Sequence, residues 1–147
     1  MYNDLELIDI LIVDDDPVDT ELTMEVLKMS KLKLNISVVN DGGSCMEYLD
    51  QAGEYESARR PDLIFLDLNM PRKDERATLR EIKSDANLKM IPVVILTTSS
   101  EDEDVMRSYT EGANCYIQKP VDFENMQQVI GMVESFWLTI VKLPNQS

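Results

Sequence analysis

The chain has no histidine. That absence removes the commonest general base and metal ligand, and with it Ser-His-Asp triads, Cys-His dyads and helical His-zinc motifs. Cysteine is scarce as well. Only Cys45 and Cys115 occur, in apolar segments without Cys-x-x-Cys spacing, so buried reduced thiols are expected instead of a disulfide framework, as in the cytoplasm. Positive charge is short: 14 Lys and Arg against 28 Asp and Glu leave a formal charge of -14. Such a surface repels phosphate backbones, and no nucleic-acid partner is expected. No apolar run approaches the roughly 18 residues of a membrane span. Asp4, Glu6 and Asp9 stand where a signal peptide is positively charged, so no membrane partner is expected either.

What remains is 147 residues, 44% of them hydrophobic, enough for one core and one domain over 1–147. Ile8–Val13 reads as a buried strand, and Asp14-Asp15-Asp16-Pro17 as the cap and first turn of a helix marked by Leu22, Val26, Leu27 and Met29. A second strand is expected at Asn35–Asn40, then a helix after Gly42-Gly43 carrying Met46, Tyr48 and Leu49. Ala52–Pro61 reads as a loop, Leu63–Asp67 as a third strand, and Leu79 and Ile82 as part of a third helix. Ile91–Thr97 is a fourth strand, and Ser100-Glu101-Asp102-Glu103 is the capping signature of a fourth helix ended by Gly112. Asn114–Gln118 is a fifth strand, and Asp122 caps a last helix running to about Val141. Five strand–helix units predict an open parallel sheet wound on both faces, with ligands outside the carboxyl ends of the strands.

Those ends carry Asp14 and Asp15, Asp67, Thr97 and Thr98, and Lys119. Gathered carboxylates repel one another, and a hard divalent cation such as magnesium relieves them. A carboxylate nucleophile needs no base, so a site without histidine can still form a covalent phospho-intermediate, and Asp67 is the candidate. Thr97 and Lys119 would meet the phosphoryl charge. Taken singly, a strand-end Asp is ordinarily a turn or cap residue, as Asp16 before Pro17 is, and a strand-end Thr or a Lys-Pro pair is equally ordinary. Their order on successive strands is what those readings leave unexplained.

Ile12-Val13-Asp14-Asp15-Asp16, Leu66-Asp67-Leu68-Asn69-Met70-Pro71, Leu96-Thr97-Thr98-Ser99 and Tyr116-Ile117-Gln118-Lys119-Pro120 resemble, across residues 8 to about 138, the receiver domain of two-component response regulators. The resemblance implies a flavodoxin-like α/β fold with strand order 2-1-3-4-5. It implies that Asp67 accepts a phosphoryl group from a histidine of a sensor kinase, and that Asp15, Asp67 and the backbone carbonyl of Asn69 bind Mg2+, with Asp14 contributing through water. Thr97 and Lys119 would contact the phosphoryl oxygens. Tyr116 would be the switch aromatic whose ring moves inward as Thr97 is drawn toward the phosphate, and Asn69 and Ser99 would tune the lifetime of the aspartyl phosphate. The missing histidine then means that the phosphodonor arrives in trans; the chain is a receiver, with no independent enzyme substrate expected. Gly53-Glu54-Tyr55-Glu56, Leu96-Thr97-Thr98-Ser99 and Glu134-Ser135-Phe136-Trp137-Leu138 are most similar to stand-alone receivers that serve bacterial phytochromes. One departure is Glu75, where the family usually has glycine; if that position needs positive φ, a glutamate costs on the order of a kcal/mol.

Residues 139–147 form a short extension with no room for an output domain, so signalling is expected through the domain surface. In the last helix Val129, Ile130, Val133, Phe136, Trp137, Ile140 and Val141 fall on one arc, with Met132 and Leu138 off it. Met132, Phe136, Trp137 and Leu138 are candidate residues of a partner or dimer face. The resemblance suggests a homodimer through helix four, strand five and helix five, responsive to phosphorylation. Eight of the 14 basic residues lie between positions 59 and 89, as a solvated face or a docking strip for an acidic partner. Two alternatives stand beside the receiver: a haloacid-dehalogenase-like phosphatase, suggested by Asp14-Asp15-Asp16-Pro17-Val18, and a pseudo-receiver that binds without being phosphorylated.

Overall fold

Continuous β-branched and large apolar side chains make the three central strands, β1 (Ile8–Val13), β3 (Leu63–Leu66) and β4 (Val93–Thr97). Every residue of β3 and β4 is buried, as strands covered on both faces must be. The computed structural model describes residues 7–68, 74–120 and 122–140. Around the central strands run α1 (Pro17–Lys28), β2 (Leu34–Val39), α2 (Gly42–Leu49), α3 (Asp74–Ser84), α4 (Asp102–Thr110), β5 (Cys115–Gln118) and α5 (Phe123–Ser135). The strands pair in parallel in the order β2-β1-β3-β4-β5.

Alternation along the strands divides the core. Leu11, Val13, Ile64, Leu66, Val93 and Ile95 face Cys45 and Leu49 of α2 and Leu79 and Ile82 of α3. Ile10, Ile12, Phe65 and Leu96 face Val26 and Leu27 of α1 and Met126, Ile130 and Val133 of α5. α4 is different: its one buried residue is Ser108.

Several expectations shift. β2 begins and ends one residue early, and β4 begins at Val93, two residues late, because Pro92 has no N–H to give and contributes only its carbonyl, to Ile64 N at 3.0 Å. Gly53–Tyr55 form a 3-10 turn inside the expected loop. Met29 caps α1 and is 57% exposed instead of marking its buried face. The N-cap of α4 is Glu101, which makes no side-chain cap bond; ahead of it, Ser99 Oγ accepts from Glu101 N at 3.3 Å and donates to Asp104 Oδ2 at 2.6 Å. Glu75 lies in the first turn of α3, in helical backbone, so the positive φ that would have made a glutamate costly there is not adopted. The loop 69–73 before it, with Asn69, lies outside the described residues, as does Val141.

α5 changes pitch before its expected end. Phe136–Ile140 form a π turn, with Phe136 and Trp137 edge to face at 5.5 Å between ring centroids. The wider turn slips the phase of the apolar arc. Leu138, expected off the arc, packs with Trp137 against the core, while Phe136, expected on it, is 52% exposed. Of the four residues expected at a partner face, only Met132 and Phe136 are exposed.

Candidate functional site

Parallel register brings the strand-end side chains together. Val13 is level with Leu66, so the next residues, Asp14 and Asp67, leave adjacent strands side by side, each tied by its N–H to the neighbouring strand (Asp14 N to Val39 O at 3.1 Å, Asp67 N to Val13 O at 3.0 Å). Thr97 is level with Gln118, and the N–H of Lys119 donates to the carbonyl of Thr97. Asp14, Asp67, Thr97 and Lys119 are all buried. The sheet edge expected to hold the chemistry therefore holds four of the named side chains.

Lys119 is the centre of this arrangement. Its Nζ donates to Asp14 Oδ2 at 3.1 Å, Asp67 Oδ2 at 3.1 Å and Asp19 Oδ2 at 3.0 Å, one carboxylate for each ammonium proton. Burial alone disfavours the charged amine, but the Asp67 and Asp14 charges, with the hydrogen bonds to Asp19 and Asp14, outweigh it and hold its pKa above the usual lysine value. Asp14 fares less well. Burial pushes its carboxyl up to about 6 from 3.8, and the Asp67 charge adds to that, against the hydrogen bond from Asp16 N and the pull of Lys119.

Asp19 was not among the expected residues. It occupies the third position of α1, behind the cap Asp16, whose Oδ1 accepts from Val18 N at 2.9 Å. The signal was in the helical spacing: Thr23, Val26 and Leu27 are the buried stripe of α1, and the same stripe one turn earlier lands on Asp19. Asp15, expected beside Asp67, is instead exposed. It lines an open groove of about 440 Å³ along α1 with Thr20, Glu21, Met24, Lys28 and Asn40. The local turn explains this: Asp14 Oδ1 accepts from Asp16 N at 2.9 Å, which holds Asp14 inward and sends the following side chain outward.

Ligand oxygens of Asp14, Asp19 and Asp67 lie within 4.8 Å of one another. Three carboxylates around one ammonium leave net negative charge in a largely buried place. Hard oxygen donors short of positive charge fit a divalent cation.

Tyr116 is half-buried against the cluster formed with α2 and α3; its Oη donates to Ser99 O at 2.9 Å, and its N–H donates to Tyr109 Oη at 3.1 Å. Three basic residues of the segment 59–89 have partners within the domain. Arg59 pairs with Asp9 at 3.0 Å, Arg80 pairs with Glu111 at 3.1 Å, and Lys83 binds the carbonyls of Lys89 and Ile91. Cys45 is buried, its thiol pushed up to about 12, and both cysteines are free. No helix among the described residues is long and apolar enough to cross a membrane.

The profile of the family described as response regulator receiver domain matches residues 10–131. Response regulator Rcp1 of Synechocystis sp. is 46% identical over 135 residues, 92% of this chain and 92% of that protein. Among solved structures, the phosphorylated cyanobacterial phytochrome response regulator RcpA superposes with a TM-score of 0.90 at 44% identity, covering 95% of this chain and 100% of that one. The Mn2+-bound form of Rcp1 gives a TM-score of 0.86 at 45% identity, covering 93% and 99%.

Proposed function

This chain belongs to the response regulator receiver family, and on that premise we propose that it takes a phosphoryl group onto Asp67 from a phosphohistidine of a sensor kinase. The observation that carries this reading is the Lys119 ammonium held between Asp67 and Asp14, with buried Thr97 on the next strand end. An Asp67 carboxylate oxygen attacks phosphorus, the O–P bond forming as the N–P bond breaks, and the imidazole leaves with the electron pair. The Thr97 hydroxyl and the Lys119 ammonium then meet the phosphoryl oxygens. Mg2+, when bound, supplies charge neutralisation at those oxygens. Asp14 and Asp67, with the Asn69 backbone carbonyl, would hold it, Asp15 joining them only by turning in from the groove along α1 where it is exposed.

Tyr116, bonded to Ser99 two residues beyond Thr97, reads the position of the strand end, and Ser99 with Asn69 sets how long the phosphate lasts. Output passes through protein contacts, including a homodimer through α4, β5 and α5, a surface on which Met106, Tyr109, Phe123, Met132 and Phe136 are exposed. Because RcpA is described as a phytochrome response regulator, the kinase proposed here is a phytochrome. The setting proposed is the cytoplasm.

The test is incubation with Mg2+ and a small acyl phosphate, comparing wild type with Asp67→Asn. A hydroxylamine-labile adduct on the wild type alone supports the reading. Multiple turnover of phosphate monoesters would point to a phosphatase, and no adduct under any condition to a pseudo-receiver. Sedimentation with and without a phosphoryl mimic tests the dimer; a monomer in both states at tens of micromolar removes it.

A further inference from the structure

We propose that Asp19 is a positioning residue for Lys119: the one carboxylate that keeps the lysine ammonium once a divalent cation has taken Asp14 and Asp67. The inference rests on the cation site proposed above. Lys119 is almost wholly inaccessible, with 2% of its side chain exposed, and its three ammonium contacts are the three carboxylates. Two of these, Asp14 and Asp67, are as deeply placed as the lysine, with 5% and 4% of their side chains exposed. They are also the two that a cation needs. A doubly charged ion on their oxygens repels the ammonium and takes the lone pairs that accepted its protons. A buried ammonium without a partner is among the costliest groups a protein can hold.

Asp19 resolves this conflict by its position. It stands on a helix, not on a strand end, and 30% of its side chain is exposed, so it has room to follow the ammonium as the other two let go. Its backbone is fixed by α1, where its carbonyl accepts from the buried Thr23 hydroxyl at 3.0 Å and its N–H faces Asp16 Oδ1 at 3.4 Å. A negative side chain in the first turn also offsets the unfavourable meeting of an ammonium with the positive end of a helix. Asp19 thus serves the cation without binding it: it keeps Lys119 charged, buried and near Asp67 while the cation replaces the lysine's other contacts.

A double-mutant cycle on cation affinity separates this role from direct ligation. Mn2+ binding would be measured by calorimetry for wild type, Asp19→Asn, Lys119→Met and the double variant, with thermal melts to show that each is folded. Lys119→Gln replaces the methionine variant if that does not fold. Asp19→Asn is expected to weaken binding about tenfold when Lys119 is present and about threefold or less when it is not, the residue being the through-space loss of one charge. Equal losses in both backgrounds would make Asp19 a cation ligand and overturn the proposal, as would no loss in either. Absence of Mn2+ and Mg2+ binding by the wild type would overturn the cation site itself, and this inference with it.

Discussion

Without a cation, the site costs the fold stability, and Asp14 shows how much. Its carboxyl titrates near 6 in the fold against an ordinary 3.8. At about 1.4 kcal/mol per pH unit, the native environment disfavours the ionised form by about 3 kcal/mol, even after its attraction to Lys119. Asp14 is 4% exposed, so solvent screening does little to reduce the figure. The sign follows from which state holds the proton. Below about pH 4 the carboxyl is neutral folded and unfolded, and it costs nothing. Between about 4 and 6 the unfolded chain has released the proton and the folded one has not, so stability falls as pH rises. Above 6 both states are ionised and the full cost remains. Asp14→Asn in chelator should therefore raise stability at pH 8 by up to about 3 kcal/mol, or about 5–10 °C in Tm. Urea unfolding of both proteins from pH 4.5 to 8 tests this, and their difference isolates Asp14 from Glu134, whose carboxyl burial also raises. Saturating Mg2+ should reverse the order, since only the wild type keeps the full set of oxygens. A variant less stable than wild type at pH 8 in chelator, or a difference that does not grow with pH, would refute the reasoning.

Other consequences can be checked directly. Lys83 donates to Lys89 O, Ile91 O and Asn114 Oδ1 at 2.8 to 3.0 Å, so Lys83→Met should cost about 2–3 kcal/mol in urea unfolding without changing acyl phosphate labelling. Tyr116→Phe removes the bond to Ser99 O; it should lower stability by about 1 kcal/mol, leave Asp67 labelling intact and blunt any phosphorylation-dependent change in sedimentation. A thiol reagent should titrate Cys115 in the native protein well before Cys45, which is buried and held protonated; equal rates would contradict the packing. Amide exchange should be faster in α4 than in α5, which buries Met126, Ile130 and Val133 where α4 buries only Ser108.

The strands were legible because a buried parallel strand has little choice but a continuous β-branched run, and Asp14, Asp67, Thr97 and Lys119 were legible as the polar residues that end those runs. What escaped depended on direction rather than type. Asp15 and Asp14 are the same residue at adjacent positions, and only the turn through Asp16 N decides which points inward. Asp19 required the helical phase of α1 to be carried back past its last apolar residue. Ser99 and Ser100 are chemically equivalent hydroxyls ahead of α4, separated by which one reaches Asp104. The π turn at Phe136 carries no residue signature, so the packing of Trp137 and Leu138 against the core, where a partner face was expected, was not legible.

The weak packing of α4 gives the site a way to be felt elsewhere. With one buried serine, α4 is held to the sheet largely by polar ties: Ser99 Oγ to Asp104 near its start, and Tyr109 Oη to the N–H of Tyr116 near its end. Both ties meet the same short path. Ser99 is two residues from Thr97, at most about 7 Å of chain, and its carbonyl accepts from the Tyr116 hydroxyl. Under the proposed reading, a Thr97 drawn toward a phosphoryl group on Asp67 must carry Ser99 with it, and Ser99 cannot move without disturbing Asp104 and Tyr116 together. The helices that bury apolar stripes, α1 and α5 on one face and α2 and α3 on the other, have more to lose by moving and stay. The helix with the fewest buried contacts is thus the one whose attachments run through the strand end beside the phosphoacceptor, which is why the surface around α4 and β5 is where a partner would sense the state of Asp67.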